Sequence, residues 1–269
     1  MDQLPLNDKL AALEREIGRF ESLLVAFSGG VDSTFLLAVA KRVLGERVTA
    51  ITALSPVHPE KEGEDAEKIV KSLGIRHIRH HSDEMDDPEF LANTSMRCYH
   101  CKKKLFASFL AVAGEIGAEA LAHGANLDDL DDFRPGYKAA EELGVVAPMV
   151  DVGLKKAEIR QLSKQMGLST WDKPALACLA SRIPAGTVIT REKLAMVEGA
   201  EEVLAELGFI GTRVRHHDTI ARIEVAPEAF GRIIDGAVRS EILERFRELG
   251  FRYVSLDLEG YRQGSMNID

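Results

Sequence analysis

The stretch "FSGGVDS", Phe27 to Ser33, gathers two serines, two glycines and an aspartate between an apolar run, "SLLVAF", and a helical pattern, "DSTFLLAVAKRVL". A parallel strand that ends in Ser-Gly-Gly and feeds a helix brings backbone NH groups and the positive helix end to the carboxyl edge of a sheet, where open α/β folds bind ligands. That is phosphate-binding chemistry. Gly29 and Gly30 lack Cβ, so the backbone can turn sharply and approach an anion, while the Ser28 and Ser33 hydroxyls can donate to its oxygens. Asp32 is out of place beside an anion unless Mg²⁺ lets a carboxylate and a polyphosphate share the site. The spacing fits neither G-x-x-x-x-G-K-[ST] nor G-x-G-x-x-G. A turn that merely starts a helix is the plainer reading, but it leaves the agreement of strand, loop and helix unused.

Sulfur is the second reactive element. Cys98 and Cys101 form "CYHC" ahead of "KKKLFASFL", a predicted helix whose first NH groups and three lysines favour thiolate over thiol. Cys178 follows 77 positions later in "KPALACLASRIP". If that loop folds back over the phosphate site, three thiolates can hold a 4Fe-4S cluster with one iron left open for a hydrosulfide. Zinc would need a fourth ligand, and the spacing singles out neither His100 nor His123; unligated thiols are the third possibility.

These residues need a scaffold. From Ser22 to Met149, β-type segments ("SLLVAF", "VTAITAL", "RHIRHH", "EALAHG") alternate with helical ones, which predicts a doubly wound α/β domain with a mostly parallel sheet over residues 1–168. Residues 169–187, with Trp171, Pro174, Cys178, Arg182 and Pro184, read as an active-site loop. Residues 188–269 read as a small α+β domain: a helix, a tight hairpin of "TRVRHHD" and "TIARIEVA", more helix and a last strand "FRYVSLDL". Trp171 is read as a loop anchor, and the pairs His80-His81 and His216-His217 as strand-end residues.

The 269 residues carry a formal net charge of -9, which disfavours nucleic acid as a partner. No apolar run approaches the roughly 18 residues of a membrane span, and the first residues carry no export signal, so a cytoplasmic protein with no membrane partner is expected. Three cysteines in such a chain argue against a disulfide framework.

"SGGVDS" after an apolar strand resembles the pyrophosphate loop of the ATP pyrophosphatases, which cleave ATP between the α and β phosphates to adenylate a substrate. Taken together, "SGGVDST", "CYHCK", "GANLDD", "CLASRIP", "RVRHHD", "ARIEV" and "EGYRQGSMN" resemble the LarE family, ATP-dependent sulfur transferases that act on pyridinium-3,5-biscarboxylic acid mononucleotide in nickel-pincer nucleotide biosynthesis. The resemblance implies ATP and Mg²⁺ contacts at Ser28, Gly29, Gly30, Asp32, Ser33, Gly124, Asn126, Asp128 and Asp129. It implies substrate contacts at Ser181, Arg182, Glu201, Arg213 and Arg215, whose guanidinium forks suit phosphate and carboxylate. Asp32, Cys178 and Arg182 are then the catalytic candidates, and Cys98, Cys101 and Cys178 the metal ligands. Some family members sacrifice the cysteine matching Cys178; others carry three cysteines and a 4Fe-4S cluster, the pattern present here. A homo-oligomer, with a hexamer among the forms, is also implied.

Three other functions compete. A transfer RNA thiolase would need a basic face, yet residues 188–269 hold 15 acidic against 11 basic side chains. An amidating enzyme like NAD synthetase gives the cysteines no role. A noncatalytic nucleotide carrier would bind ATP without releasing pyrophosphate.

Overall fold

The computed structural model describes residues 5–130, 135–174 and 177–262. It divides into two compact units: Met1–Ser55, Glu60–Glu84 and Met96–Leu176 in the first, Pro56–Pro59, Met85–Ser95 and Ala177–Asp269 in the second.

The first unit is built on four parallel strands, β1 (Leu23–Ala26), β2 (Val48–Leu54), β3 (Arg76–His81) and β4 (Ala120–His123), in the order β3-β2-β1-β4. Strands covered on both faces are apolar throughout, and β1 shows why. Leu23 and Val25 face a core shared with helices α1 (Leu6–Ile17), α2 (Val31–Leu44) and α3 (Glu60–Ser72), whereas Leu24 faces Phe106, Phe109 and Ala113 of α4 (Arg97–Ile116) and Ala140 of α5 (Pro135–Glu142). Helix α2 is buried nearly all round and is the centre of the unit. Ile159 and Leu162 of α6 (Lys156–Gln165) pack into the same core as α1, α2 and α3. The expected doubly wound sheet is therefore present. The chain runs outward from β1 through β2 to β3, then returns to lay β4 against the other side of β1, so strand order reverses between β1 and β4. In open α/β sheets that reversal opens the ligand crevice.

The second unit carries a smaller sheet in the order β5-β6-β7: β5 (Arg213–His217) and β6 (Ile220–Glu224) form the expected hairpin, and β7 (Tyr253–Leu256) runs parallel to β6. Val214, Ala221 and Ile223 point into a core with α7 (Arg191–Glu206) and α8 (Gly236–Glu248), which holds Val203, Leu204, Ile242 and Phe246. Period-2 alternation puts Arg213 and Arg215 on the opposite face, with Arg222 and Glu224 beside them on β6. Among the described residues no helix is long and apolar enough to cross a membrane.

Candidate active site

In the first unit the loop after β1 is a closed hydroxyl network. Ser33 Oγ lies 3.1 Å from Ser28 Oγ, accepts from Ser28 N at 3.3 Å and donates to the Gly30 carbonyl at 3.3 Å, while Gly30 N donates to Ser28 Oγ at 3.4 Å. Gly29 turns the chain at φ 70°, with Ala66 of α3 immediately behind it, and Gly30 starts α2. At φ 70° any other residue is strained, and a Cβ would sit 3.3 Å from the Ala66 methyl.

The loop after β4 closes on this one through Gly124. A Cβ there would stand 2.9 Å from Ser33 N and 3.1 Å from Ser33 Cα, so the two strand-end loops touch backbone to backbone. Asn126 is buried and arranges its own loop: its side-chain oxygen accepts from Asp128 N at 3.1 Å, while its NH donates to Asp129 at 3.0 Å. Asp128 in turn accepts the backbone NH of Lys156 at 2.8 Å.

Lys156 was not singled out by the sequence, yet it decides the charge at the loop. Its ammonium forms a short ion pair with Asp32 Oδ2. Burial holds the Asp32 carboxyl above the ordinary carboxylate range, opposed by the bond to Lys156 and by that lysine's charge. The other oxygen, Asp32 Oδ1, is buried and meets no hydrogen-bond donor among the described residues. An unpartnered buried carboxylate oxygen at the edge of an anion loop suits a divalent cation, so the site fits Mg²⁺. A second overlooked lysine, Lys173, donates to the Gly29 carbonyl at 3.1 Å. Arg160 of α6 fixes that segment by donating to the carbonyls of Trp171 and Lys173, each at 2.8 Å, and Lys164 lies 4.4 Å from the centre of the Trp171 ring.

Cys98 lies in the first turn of α4 and Cys101 just beyond it, Cys98 exposed and Cys101 partly so. The three lysines that follow have other partners: Lys102 lies over Phe106, Lys103 bonds Tyr99 and Glu142, and Lys104 donates to the Asp83 carbonyl. His123 is sandwiched between Phe106 and Tyr137, and burial with the nearby Lys102 charge pushes its pKa down to about 4, so it is neutral at pH 7.

In the second unit Cys178 precedes a helical turn, Leu179–Arg182. Arg182, only 3% exposed, forms a two-pronged ion pair with Glu201 at 3.0 and 3.1 Å. The same guanidinium donates to the Ala177 and Cys178 carbonyls at 2.7 and 3.1 Å and reaches Ser181 Oγ at 3.0 Å. Its fork is thereby committed to holding the cysteine turn. Arg215 is buried against Glu224 at 2.7 Å and donates to the Ser181 carbonyl at 3.2 Å. Arg213 donates to the Thr212 carbonyl at 2.7 Å and lies 5.1 Å from the centre of the Tyr261 ring; burial and the neighbouring Arg182 lower its pKa. A third missed residue scaffolds this region. Asn93, buried at φ 53°, donates to the carbonyls of Ile183, Pro184 and Thr187 at 3.3, 2.8 and 3.0 Å.

Among the described residues no three His, Cys, Asp or Glu side chains are gathered as a resident metal would need. Of the expected metal ligands, Cys98 and Cys101 belong to the first unit and Cys178 to the second. The stretch from Gln263 onward, part of "EGYRQGSMN", lies outside the described residues, as do Asp131 and Asp132 of the β4 loop.

Residues 7–92, which contain the serine-glycine loop, match the NAD synthase family model. An uncharacterized protein of Synechocystis is 42% identical over 97% of this chain and 98% of its own length. The pyridinium-3,5-bisthiocarboxylic acid mononucleotide synthase of Lactiplantibacillus plantarum is 38% identical over 97% of this chain and 95% of its own length. The chain belongs to the LarE family. LarE proteins are ATP-dependent enzymes of the pyrophosphate-loop type, and the first unit supplies that loop. Aeropyrum pernix GMP synthase is 29% identical over 75% of this chain but over only 42% of its own length. The likeness to LarE covers 97% of this chain and so spans both units.

Proposed function

We propose that the enzyme uses ATP to adenylate a carboxylate of pyridinium-3,5-biscarboxylic acid mononucleotide and replaces an oxygen of that carboxylate with sulfur. The observation that carries this reading is full-length similarity to a synthase of the bisthiocarboxylic acid mononucleotide, in a chain that keeps both the phosphate loop and a cysteine on an arginine-held turn. The substrate carboxylate oxygen attacks the α-phosphorus, and pyrophosphate leaves with the bonding electrons. NH groups at the start of α2 and the Ser28 and Ser33 hydroxyls take up the developing negative charge. Mg²⁺, with Asp32 as its protein ligand, supplies charge neutralisation when bound. Lys156 neutralises Asp32 until then.

A sulfur nucleophile next attacks the acyl carbon, and AMP departs with the C–O electrons. If the nucleophile is the Cys178 thiolate, the product is a thioester; a base then removes the Cys178 α-proton, the Cβ–S bond breaks, and the sulfur leaves on the product as a thiocarboxylate, with dehydroalanine in the chain. Three thiolates are also a sound donor set for a 4Fe-4S cluster, and we propose Cys98, Cys101 and Cys178 as its ligands, to be tested by iron and sulfide content per chain after anaerobic reconstitution. Arg213 and Arg215 are proposed to receive the substrate phosphate and free carboxylate, with Arg182, Ser181 and Glu201 setting the shape of that surface. Exposed Ile210, Ile234, Tyr253 and Leu258 on the second unit support self-association. Dependence on ATP supports a cytoplasmic setting.

Substrate labelled with ¹⁸O in its carboxylates tests the adenylation step. One label should appear in the phosphate of AMP for each pyrophosphate released. AMP free of label would overturn the proposed order of bonds.

A further inference from the structure

A cavity of about 270 Å³ lies between α3 and the segment Ser169–Lys173, lined by Asp65, Lys68, Ile69, Ser169, Thr170 and Lys173. Two features mark it as more than a surface dimple. Thr170 is only 3% exposed, and among the described residues its hydroxyl is buried with no hydrogen-bond partner, a costly arrangement that a bound acceptor would relieve. Lys173 lines the cavity and donates to the Gly29 carbonyl, so the cavity adjoins the phosphate loop and shares an ammonium with it. The main chain that carries it is held in place, because Arg160 donates to the carbonyls of Trp171 and Lys173. Lys68 brings a second ammonium, which balances Asp65 at 3.1 Å. Two ammonium groups against one carboxylate, with the hydroxyls of Ser169 and Thr170, suit a small oxyanion.

We propose that this cavity is a second site for a phosphate-class anion, taking the pyrophosphate released at the loop and holding it on its way to solvent. The assignment of the anion as product rests on the adenylating reaction proposed above; the existence of the site does not. Gly29 stands with Ala66 of α3 behind it, and Lys173, bonded to the Gly29 carbonyl, lines the cavity together with Lys68.

Inorganic pyrophosphate, titrated calorimetrically into the full chain, tests this with three variants. The wild type should show two sites. Ser33→Ala should weaken the loop site and keep the second. Lys68→Glu should weaken the second site about tenfold or more, the equivalent of one charged hydrogen bond, and leave the loop site within about twofold. Thr170→Val should weaken the second site while leaving thermal stability unchanged or raised, since it removes a buried hydroxyl that has no partner among the described residues. A purely structural Thr170 would leave pyrophosphate affinity unmoved. A single site, or a second site indifferent to both Lys68→Glu and Thr170→Val, would overturn the proposal. Retention of the second site in a chain that fails to adenylate would keep the cavity and discard only its assignment to the product.

Discussion

Gly124→Ala is the sharpest test of how the two loops meet. The added methyl would stand 2.9 Å from Ser33 N, 3.1 Å from Ser33 Cα and 3.2 Å from the Asp32 carbonyl carbon, all backbone atoms that cannot swing aside. Ordinary carbon contacts begin near 3.5 Å, so the β4 loop and the start of α2 must separate by roughly half an ångström. Overpacking of this kind costs about 1–3 kcal/mol of stability. The larger effect falls on chemistry, because the displaced atoms carry the Ser33 hydroxyl network and Asp32. Misplacement by about 1 Å costs as much as a hundredfold, so half that displacement should lower kcat/KM for pyrophosphate release by about tenfold. Gly114→Ala is the control of opposite sign: nothing lies within 4 Å of its added methyl, and it sits exposed within α4, so it should stabilise by about 1 kcal/mol with activity intact. The assay is coupled pyrophosphate release beside urea unfolding. Wild-type turnover and stability in Gly124→Ala would refute the close backbone approach.

Lys156→Met removes the charge that opposes burial at Asp32, so the Asp32 pKa should rise further and the acid limb of the kcat/KM profile should move to higher pH; an unmoved limb would separate Asp32 from turnover. Glu224→Gln leaves the buried Arg215 guanidinium without its charge partner and weakens the bond from Arg222, and should cost about 3 kcal/mol in urea unfolding; a loss below about 1 kcal/mol would contradict the buried pair. His123 has a folded pKa below its unfolded value, so its neutral form stabilises the fold above about pH 6.5 and that stabilisation is lost as pH falls towards 4. His123→Gln should flatten the pH dependence of stability across that window, and an unchanged slope would count against the buried neutral ring.

The fold was legible because its signals are local. An apolar β1, a glycine break and an apolar α2 can be read along a few turns of chain, and repeated alternation predicts the parallel sheet. The period-2 rule likewise put Arg213 and Arg215 on one face of β5, opposite Val214 in the core. What stayed hidden depends on partners far apart in sequence. Lys156 lies 124 positions from Asp32, and its one sequence signal was the oddity of a carboxylate at an anion loop. Arg182 and Glu201 were both visible as candidates, but spacing could not tell that a guanidinium would be turned onto the Ala177 and Cys178 carbonyls. Asn93 in "LANTS" looked like any polar loop residue, since three backbone carbonyls about 90 positions away leave no trace in side-chain types. The phosphate loop declared itself because its backbone geometry demands particular residues in sequence. The composition of the arginine face was visible in the sequence, whereas which forks are engaged depends on partners set by the fold.

Sulfur transfer driven by ATP can be read in a single anaerobic turnover. Protein reconstituted with iron and sulfide is mixed with ATP, Mg²⁺ and the pyridinium biscarboxylic mononucleotide, and small-molecule products and intact protein mass are read together. One thiocarboxylate should form per AMP and pyrophosphate, with protein mass either unchanged or lower by one H₂S at Cys178 according to the sulfur source. AMP and pyrophosphate formed with no sulfur in the product, or no substrate-dependent pyrophosphate at all, would contradict it.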